Sequence, residues 1–423
     1  MPRHFSIFSG NIRNHKIIHS AAYLFVLMGL SLFLMDCSGR KSETKPSIAE
    51  TDPIVREDIE KPKPDFSEIN TVVRKEIAKG SFPGAVVLVG RDEEILYHRA
   101  FGQKQKIPVA EPMSLSTIFD LASLTKPIAT ATSVLMLYDR GKLKLTDPAG
   151  TYLPDFAGDG REDIQIHHLL THTSGLPAYT SAASLQAEFG PVCPAQVIAK
   201  ICRLKLQSKP GEKFRYSCLG YILLSEVVKK ASGQSLDRFA REHLFQTLNM
   251  TDTGFTPAEK LIPRIAATEI VDGCPLRGRV HDPLARLRDG ISGNAGLFST
   301  AHDLSLYCRL LVNDGTYGGV TVLSSEAVSL LTTPQAFGRA YGFGVSSPYA
   351  WIKGSSAPPA TFCHSGYTGT SLVCDPIGKT YLIILTNRVH PHDKGTVKVL
   401  RTRLADIVFR TLGSPPAGQA AKP

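Results

Sequence analysis

Several patterns that mark common protein functions are missing from this 423-residue sequence. Its eight cysteines include no C-x-x-C pair, so neither a zinc site nor a thioredoxin-type redox motif is indicated. No Gly-x-Ser-x-Gly elbow is present, which argues against an α/β-hydrolase. The basic residues form no dense block and are interleaved with acidic ones. The net charge of +10 therefore predicts a basic solvated surface and no nucleic-acid partner.

The composition is that of an ordinary globular protein. Hydrophobic residues make up 43% of the chain and charged residues 20%, with 35 Gly, 28 Pro and a single Trp. These values exclude collagen, a coiled coil and general disorder. A chain of this length can bury a sizeable core in one large domain or in two to three ordinary ones.

The N-terminal segment, residues 1–37, has the pattern of an export signal. Its first 20 residues carry basic side chains and no acid, and Ala21–Met35 is almost purely apolar. This order predicts a secretory signal peptide or an uncleaved membrane anchor. Cys37 follows at once and resembles the lipidated cysteine of bacterial lipoproteins, so lipidation of Cys37 is a third possibility. All three predict an exported, periplasmic or cell-envelope protein whose partner through this segment is the membrane.

A tether, a folded domain and a tail follow. Residues 38–64 are polar, charged and interrupted by Pro, as expected of a disordered tether. The folded domain is predicted over 65–412, and residues 413–423 form a flexible tail.

Strand patterns occupy the two ends of the folded domain, and helical patterns occupy its middle. The fold class is therefore α/β (α+β): a mixed sheet built from about 65–122 and 335–412, flanked by helices, with a helical region of about 123–334 inserted. A groove where sheet and helices meet is the natural ligand site. The patterns predict helices over 66–79, 123–140, 300–312 (with Thr300 as N-cap) and 396–412, and strands over 84–90, 95–101, 341–345, 371–374 and 380–386.

Ser123 and Lys126 suggest nucleophilic chemistry at the start of the second helix. Three residues apart, they lie one helical turn from each other on the same face. A serine hydroxyl becomes a useful nucleophile when a neighbouring base takes its proton. A buried lysine can be such a base because desolvation lowers its pKa and favours the neutral amine. Ser-x-x-Lys alone is weak evidence, since a capping serine followed by an exposed lysine gives the same pattern.

Two later segments add motifs that form a set of three with this Ser-x-x-Lys pair. Tyr216-Ser-Cys218 follows a Pro-Gly turn, and His364-Ser-Gly-Tyr367 lies at the entry to a late strand. Three such elements in this order resemble the penicillin-recognising serine hydrolases, which comprise class C β-lactamases, serine D,D-peptidases and related esterases. The resemblance runs from about Phe66 to Leu412 and includes His168-Leu-Leu-Thr-His-Thr-Ser-Gly-Leu-Pro177 and Gly293-Asn-Ala-Gly-Leu-Phe-Ser-Thr300.

The resemblance implies a role for each matching residue. Ser123 would be the acylated nucleophile, Lys126 its base partner and Tyr216 the proton shuttle to the leaving group. A free phenol has a pKa near about 10, so Tyr216 would need adjacent positive charge. His364 would complete the catalytic set, and the backbone N–H groups of Ser123 and Tyr367 would form the oxyanion hole.

The predicted substrate-binding residues are Cys218, Ser365 and Gly366, and two departures from the family pattern lie among the site residues. Gly366 would let a substrate chain approach the strand edge. Cys218 stands where β-lactamases and D,D-peptidases usually have Asn, and a thiol is a far weaker hydrogen-bonding partner. His364 stands where many relatives have Lys. A partly protonated His364 would hold a substrate carboxylate in a pH-dependent way, with affinity falling between about pH 6 and 8.

The sequence thus predicts an exported serine hydrolase that works through an acyl-enzyme. Its substrate would be a D-alanyl, peptidoglycan-like peptide or a small ester, and no cofactor or metal is implied. A class C-like β-lactamase is one alternative, and a catalytically silent module that senses peptidoglycan or β-lactam is another. Oligomeric state and cysteine pairing stay open.

Three other patterns are predicted to be structural. His168 and His172 have the spacing of two metal ligands but lack a nearby third, so a structural loop is favoured. His281-Asp282 precedes Pro283 and is read as a surface turn. Gly378-Lys-Thr380 lacks the first Gly of a phosphate loop and is read as a turn between strands.

Overall fold

A computed structural model gives the architecture of the chain over residues 63–346 and 348–413. The predicted leader with Cys37, the predicted tether as far as residue 62 and the tail beyond residue 413 lie outside these residues. Within the described part of the chain, no helix combines the length and the apolar character that a membrane span requires.

Strands come from both ends of the folded domain. Among the described residues the main sheet has six antiparallel strands in the order β11-β12-β13-β1-β2-β3, and smaller sheets pair the rest. The strands are β1 Gly84–Arg91, β2 Glu94–Gln105, β3 Glu111–Pro112, β4 Phe119–Asp120, β5 Gly254–Phe255, β6 Ile270–Val271, β7 Cys274–Pro275, β8 Leu297–Ser299, β9 Thr316–Tyr317, β10 Val320–Thr321, β11 Phe362–Ser365, β12 Ser371–Asp375 and β13 Thr380–Thr386.

Helices fill the middle of the chain and flank the sheet. The α-helices are α1 Ser67–Ala78, α2 Thr132–Asp139, α3 Ile166–Leu170, α4 Ala182–Phe189, α5 Pro194–Cys202, α6 Cys218–Ser232, α7 Leu236–Ala240, α8 Pro283–Leu287, α9 Ala301–Val312, α10 Ser325–Thr332 and α11 Lys398–Leu412. Short 3₁₀ turns cover Ala122–Leu124, Ala149–Thr151, Pro154–Phe156, Glu259–Arg264 and Ala350–Lys353, and π-helical turns cover Lys126–Ala131 and Arg241–Phe245.

The main sheet is buried on both faces. Alternate side chains of β1 point to opposite faces, as the period of a strand requires. Val86 and Leu88 belong to the large core shared with the helical region, whereas Val87 and Val89 belong to the core beneath α1 and α11. This two-sided burial explains why β1 reads as a continuous apolar run.

The predicted fold class is confirmed, and several of its elements are too. The hairpin of β1 and β2 forms, and the Thr300 hydroxyl caps α9 by accepting the Asp303 N–H at 3.1 Å. The predicted strand over 341–345 is wrong. Gly342 has a left-handed φ of 115°, and Gly344 makes only isolated bridges, to Arg339 and Cys363, so the segment is a loop with buried apolar side chains.

The predicted helix over 123–140 is regular only in its second half. The Pro127 carbonyl accepts both the N–H and the hydroxyl of Thr132, five residues on, which widens the turn. Short π-helical turns inside helices are frequent at functional sites. This irregular turn carries Lys126 and follows directly on the 3₁₀ turn that holds Ser123.

Candidate active site

Lys126 points directly at Ser123 from the π-helical turn. Its Nζ lies 3.0 Å from Ser123 Oγ, 2.9 Å from the Asn294 carbonyl oxygen and 3.5 Å from Cys218 Sγ. An ammonium has three protons, and each of these atoms can accept one. The lysine side chain is fully buried, while Ser123 is partly exposed to the cleft.

The electrostatic state of Lys126 differs from the predicted one. Burial acts to lower the pKa of Lys126, but the attraction of the neighbouring Cys218 and Tyr216 side chains in their ionised forms outweighs it and raises the pKa. The raised pKa favours the ammonium form of Lys126 in the free protein, whereas the sequence predicts a neutral amine base. An ammonium beside Oγ favours the alkoxide form of Ser123 by direct charge attraction.

Tyr216 lies between two cations at the floor of the cleft. Its ring centroid is 5.1 Å from Lys126 Nζ and 6.0 Å from the guanidinium carbon of Arg339. Its position just before α6 is fixed by Ser217, whose hydroxyl accepts the Gly220 N–H and caps the helix. The structure thus brings Ser123, Lys126 and Tyr216 together, as the sequence predicts.

His172 supports Tyr216 from below, a contact that sequence reasoning missed. The two rings stack with centroids 4.3 Å apart, and His172 Nδ1 accepts the Ser217 N–H at 3.0 Å. Burial, followed by the charges of Arg339 and Lys126, lowers the pKa of His172 well below its usual value. His172 is therefore a neutral structural group whose left-handed φ of 60° aims the ring under the site.

His364 joins the site from β11 but in a different protonation state from the one predicted. Its ring is 6.1 Å from that of Tyr216, and only 4% of the residue is exposed. Burial, followed by the charges of Arg339 and Lys126, lowers the pKa of His364 well below its usual value. This shift favours a neutral imidazole that forms hydrogen bonds, whereas the sequence predicts a partly cationic one.

The segment after β11 is bound to the loop that carries the nucleophile. Thr368 and Thr370 donate their hydroxyls to the carbonyls of Asp120 and Leu121, at 2.7 and 3.0 Å. A Cβ at Gly366 would lie 2.3 Å from the Leu121 carbonyl oxygen, so this glycine admits the nucleophile loop itself. Tyr367 N–H, one of the two predicted oxyanion donors, has no acceptor among the residues that the structure describes.

Asp120 fixes the nucleophile loop from the other side, a role that no pattern in the sequence indicates. Its carboxylate accepts the Ala122 N–H at 2.8 Å and the His281 N–H at 2.6 Å. Burial raises the pKa of Asp120, and the two N–H groups oppose that rise. The bonds connect the residue before Ser123 to a segment 160 positions later in the chain.

One half of the cleft is an arginine pocket of about 310 Å³. Arg339 and Arg401 are buried, and the Nε atom of each has no hydrogen-bond partner among the described residues. Neither side chain is paired with a carboxylate in the described chain. The lining residues are Ser123, Tyr216, Arg339, Tyr349, Trp351, His364, Ser365, Gly366, Tyr367, Arg388 and Arg401.

The other half is an acidic pocket of about 480 Å³ that shares Ser123, Tyr216 and Tyr367 with the first. His281 and Asp282 line it, so the prediction of a surface turn is wrong for this pair. Asp282 caps α8 and accepts the Tyr179 hydroxyl, which holds the segment in the cleft. The remaining lining residues are Ala122, Tyr179, Cys218, Glu269, Pro283, Ala295 and Asp393.

Within the described residues, no group of three or more His, Cys, Asp or Glu side chains is arranged to hold a metal ion. His168 and His172 serve separate backbone contacts, since His168 Nδ1 accepts the Gln165 N–H at 3.1 Å. All seven cysteines in this part of the chain are unpaired.

Comparisons with known proteins agree with this architecture. A family model described as Beta-lactamase matches residues 69–406. The Escherichia coli (strain K12) protein named "Putative D-alanyl-D-alanine carboxypeptidase" is 32% identical over 344 residues, which are 73% of this chain and 79% of that protein. The N-acetylmuramyl-L-alanine amidase of Bacillus subtilis (strain 168) is 32% identical over 349 residues, 74% of this chain and 79% of the relative.

A solved structure shares the fold. EstCE1, described as a hydrolase with promiscuous acyltransferase activity, superposes with a TM-score of 0.66 at 22% identity, covering 81% of this chain and 98% of its own. At this identity the likeness bears on the fold alone.

Proposed function

Because the chain belongs to the beta-lactamase family, we propose that it is a hydrolase that works by serine acyl transfer, with Ser123 as the nucleophile. The observation that carries the proposal is the 3.0 Å contact between Lys126 Nζ and Ser123 Oγ at the junction of the two pockets. A nucleophilic hydroxyl beside a fixed cation and a second proton-accepting group is the arrangement that covalent catalysis requires.

Lys126 and Tyr216 have separate roles in this mechanism. The Lys126 ammonium stabilises the developing alkoxide of Ser123, and Tyr216 accepts the hydroxyl proton and later passes it to the leaving group. Lys126 and Arg339 supply the adjacent positive charge that a phenol base requires. The N–H groups of Ser123 and Tyr367 stabilise the oxyanion of each tetrahedral intermediate.

The arginine pocket supports an anionic substrate, such as a peptide that ends in a free carboxylate. Arg339 and Arg401 line this pocket without a carboxylate partner among the described residues, and a carboxylate is the acceptor that best matches a guanidinium. Both relatives compared above are named for D-alanyl or N-acetylmuramyl-L-alanyl bonds. A D-alanyl, peptidoglycan-like peptide is therefore the proposed substrate class, and a small ester is the second.

A cell-envelope location fits this substrate. The basic and apolar leader supports export, with cleavage, anchoring or lipidation at Cys37 as the routes that connect the protein to the membrane. Residues 38–64 would serve as the tether between that membrane and the folded domain.

The test is a substrate panel followed by intact-protein mass spectrometry. A D-Ala-D-Ala peptide, a short activated ester and a penicillin are each given to the wild type, to Ser123→Ala and to the control Ser116→Ala, which changes an exposed serine. We expect turnover of the peptide or ester by the wild type and the control, and none by Ser123→Ala. A lasting adduct without turnover would favour a sensor, and neither turnover nor an adduct with any probe would contradict the proposal.

A further inference from the structure

His281 and Glu269 form a base-and-carboxylate pair that the mechanism above does not use. His281 Nε2 lies 3.1 Å from Glu269 Oε2. The His281 side chain is only 12% exposed, and that of Glu269 is 35% exposed. An imidazole oriented by a carboxylate is the arrangement that general bases use in hydrolases.

The pair faces the same cavity as the nucleophile. His281 and Glu269 line the acidic pocket together with Ser123, Tyr216 and Cys218. The pocket has room for both a bound acyl group and water at about 480 Å³. An acyl group on Ser123 and the imidazole of His281 would therefore border the same cavity.

Two further contacts hold His281 in this position. The backbone N–H of His281 donates to Asp120, which also holds the N–H of Ala122 beside the nucleophile. The ring stacks on Tyr367 with an interplanar angle of 18° and centroids 5.8 Å apart. Tyr367 is itself held by a hydrogen bond to Asp393 and by the Arg388 guanidinium over its ring.

Glu269 also decides which nitrogen of the ring is basic. A carboxylate accepts a proton donor, so the contact with Glu269 keeps the proton on Nε2. Nδ1 then retains its lone pair. Among the described residues, Nδ1 makes no hydrogen bond, which leaves it available to a water molecule.

We propose that His281, oriented by Glu269, is the base that activates the hydrolytic water in deacylation; this inference rests on the proposed acyl-enzyme at Ser123. Nδ1 removes a proton from the water as its oxygen attacks the acyl carbon. The bond between that carbon and Ser123 Oγ then breaks, and Oγ takes a proton from Lys126. The imidazolium of His281 releases its proton to solvent, Lys126 regains one, and the products are the free acid and the serine hydroxyl.

The experiment separates acylation from deacylation. His281→Gln and Glu269→Gln keep a polar side chain of similar length, and the backbone bond from residue 281 to Asp120 does not depend on the side chain. With an activated ester we expect a burst of one equivalent, as in the wild type, followed by steady turnover about 100-fold slower in His281→Gln. Mass spectrometry should then show the acyl-enzyme accumulating, with a smaller accumulation in Glu269→Gln.

A matched control is available in His302, which also lies beside a carboxylate, with Nδ1 3.7 Å from Asp303, but outside both pockets. His302→Gln should leave burst and turnover unchanged. Added imidazole should restore deacylation in His281→Ala, which a purely structural role would not allow. Unchanged deacylation in His281→Gln, or a rise in KM alone, would overturn the inference. Turnover of the ester that persists in Ser123→Ala would instead contradict the proposed nucleophile.

Discussion

The Asp120 carboxylate accepts the backbone N–H of His281 at 2.6 Å and so joins the nucleophile loop to the opposite wall of the cleft. The second oxygen of the same carboxylate accepts the Ala122 N–H at 2.8 Å. Asp120 is buried, so neither N–H has water as an alternative partner. The position of Ser123 therefore depends on a buried side chain that lines neither pocket.

Replacing Asp120 by Asn should damage both stability and activity. The amide NH₂ would face one of the two N–H groups, and an unsatisfied buried donor costs about 1–3 kcal/mol. We expect a loss of that size in chemical denaturation and at least a tenfold slower acylation burst, since Ser123 shifts. Asp303→Asn is the control, because Asp303 also accepts a buried backbone N–H but lies outside the cleft. Equal effects on the burst in both variants would contradict this role.

Arg339 should determine the preference for anionic substrates. Its guanidinium lines the pocket and has no acidic partner within the described chain. A hydrogen bond to a charged group contributes about 1.5–3 kcal/mol, so Arg339→Gln should raise KM for a carboxylate-terminated peptide by roughly 10- to 100-fold. A neutral ester should keep its kcat/KM within about twofold.

Activity on the neutral ester also shows whether the Arg339→Gln variant, which changes a buried position, is correctly folded. Arg410→Gln, which changes an arginine with a 60% exposed side chain, should alter neither substrate. A parallel loss on peptide and ester in Arg339→Gln would show that Arg339 acts on the fold and not on substrate charge.

Local patterns were sufficient for much of the fold. The hairpin of β1 and β2 and the Thr300 cap depend on residues close together in the chain, and both are confirmed. The strand predicted over 341–345 has the right apolar content, but strand formation needs a partner. The neighbouring Phe362–Ser365 strand offers it only one bridge, at Cys363.

The site could be predicted only in part, for the same physical reason. The three-residue spacing of Ser123 and Lys126 is visible in the sequence, and resemblance supplied Tyr216 and His364. The pKa of Lys126 depends on its burial and on Cys218 and Tyr216, which come from a segment about 90 residues away. Arg339, Asp120 and His281 likewise act through contacts between distant segments, which no periodicity encodes.

Cys218 should limit reaction with amide-bearing substrates such as penicillins. Its thiol contacts Lys126 at 3.5 Å but offers a substrate amide only weak hydrogen bonding. In Cys218→Asn the new side-chain amide can form hydrogen bonds with both Lys126 and the substrate amide. One neutral hydrogen bond contributes about 1 kcal/mol, which corresponds to roughly fivefold faster penicillin acylation. Stopped-flow acylation rates provide the measurement, with the exposed Cys274→Ser as control. An unchanged or slower rate would contradict this explanation.

Binding of acidic substrates should be insensitive to pH between 6 and 8. The pKa of His364 is well below its usual value because the ring is buried near Arg339 and Lys126, so it stays neutral across this range. Arginine keeps its charge over the same range. KM for a carboxylate peptide should therefore be flat in wild type and in His364→Asn alike. A rise in KM between pH 6 and 8 that disappears in His364→Asn would restore the imidazolium predicted from sequence.

His168 should make the protein sensitive to acid. Burial, together with the neighbouring His167, lowers the pKa of His168 to about 4. The unfolded chain then binds a proton that the folded chain excludes, so stability is full above about pH 6.5 and is lost as the pH falls toward 4. The full pKa shift corresponds to a loss of roughly 2 kcal/mol in the free energy of unfolding between pH 7 and 5. Partial exposure of the ring reduces the expected loss to about 1 kcal/mol.

The substitution His168→Gln should remove this loss without removing the structural contact. His168 Nδ1 accepts the Gln165 N–H at the start of α3, and a glutamine three residues into a helix can make the same capping bond but cannot take up a proton. Chemical denaturation at pH 7 and pH 5 should show a smaller difference in His168→Gln than in the wild type by about 1 kcal/mol. His302→Gln, whose side chain is 59% exposed, should retain the wild-type difference. If His168→Gln retained it as well, the acid sensitivity would have to arise at other buried groups, such as His172 and His364, whose pKa values are also lowered.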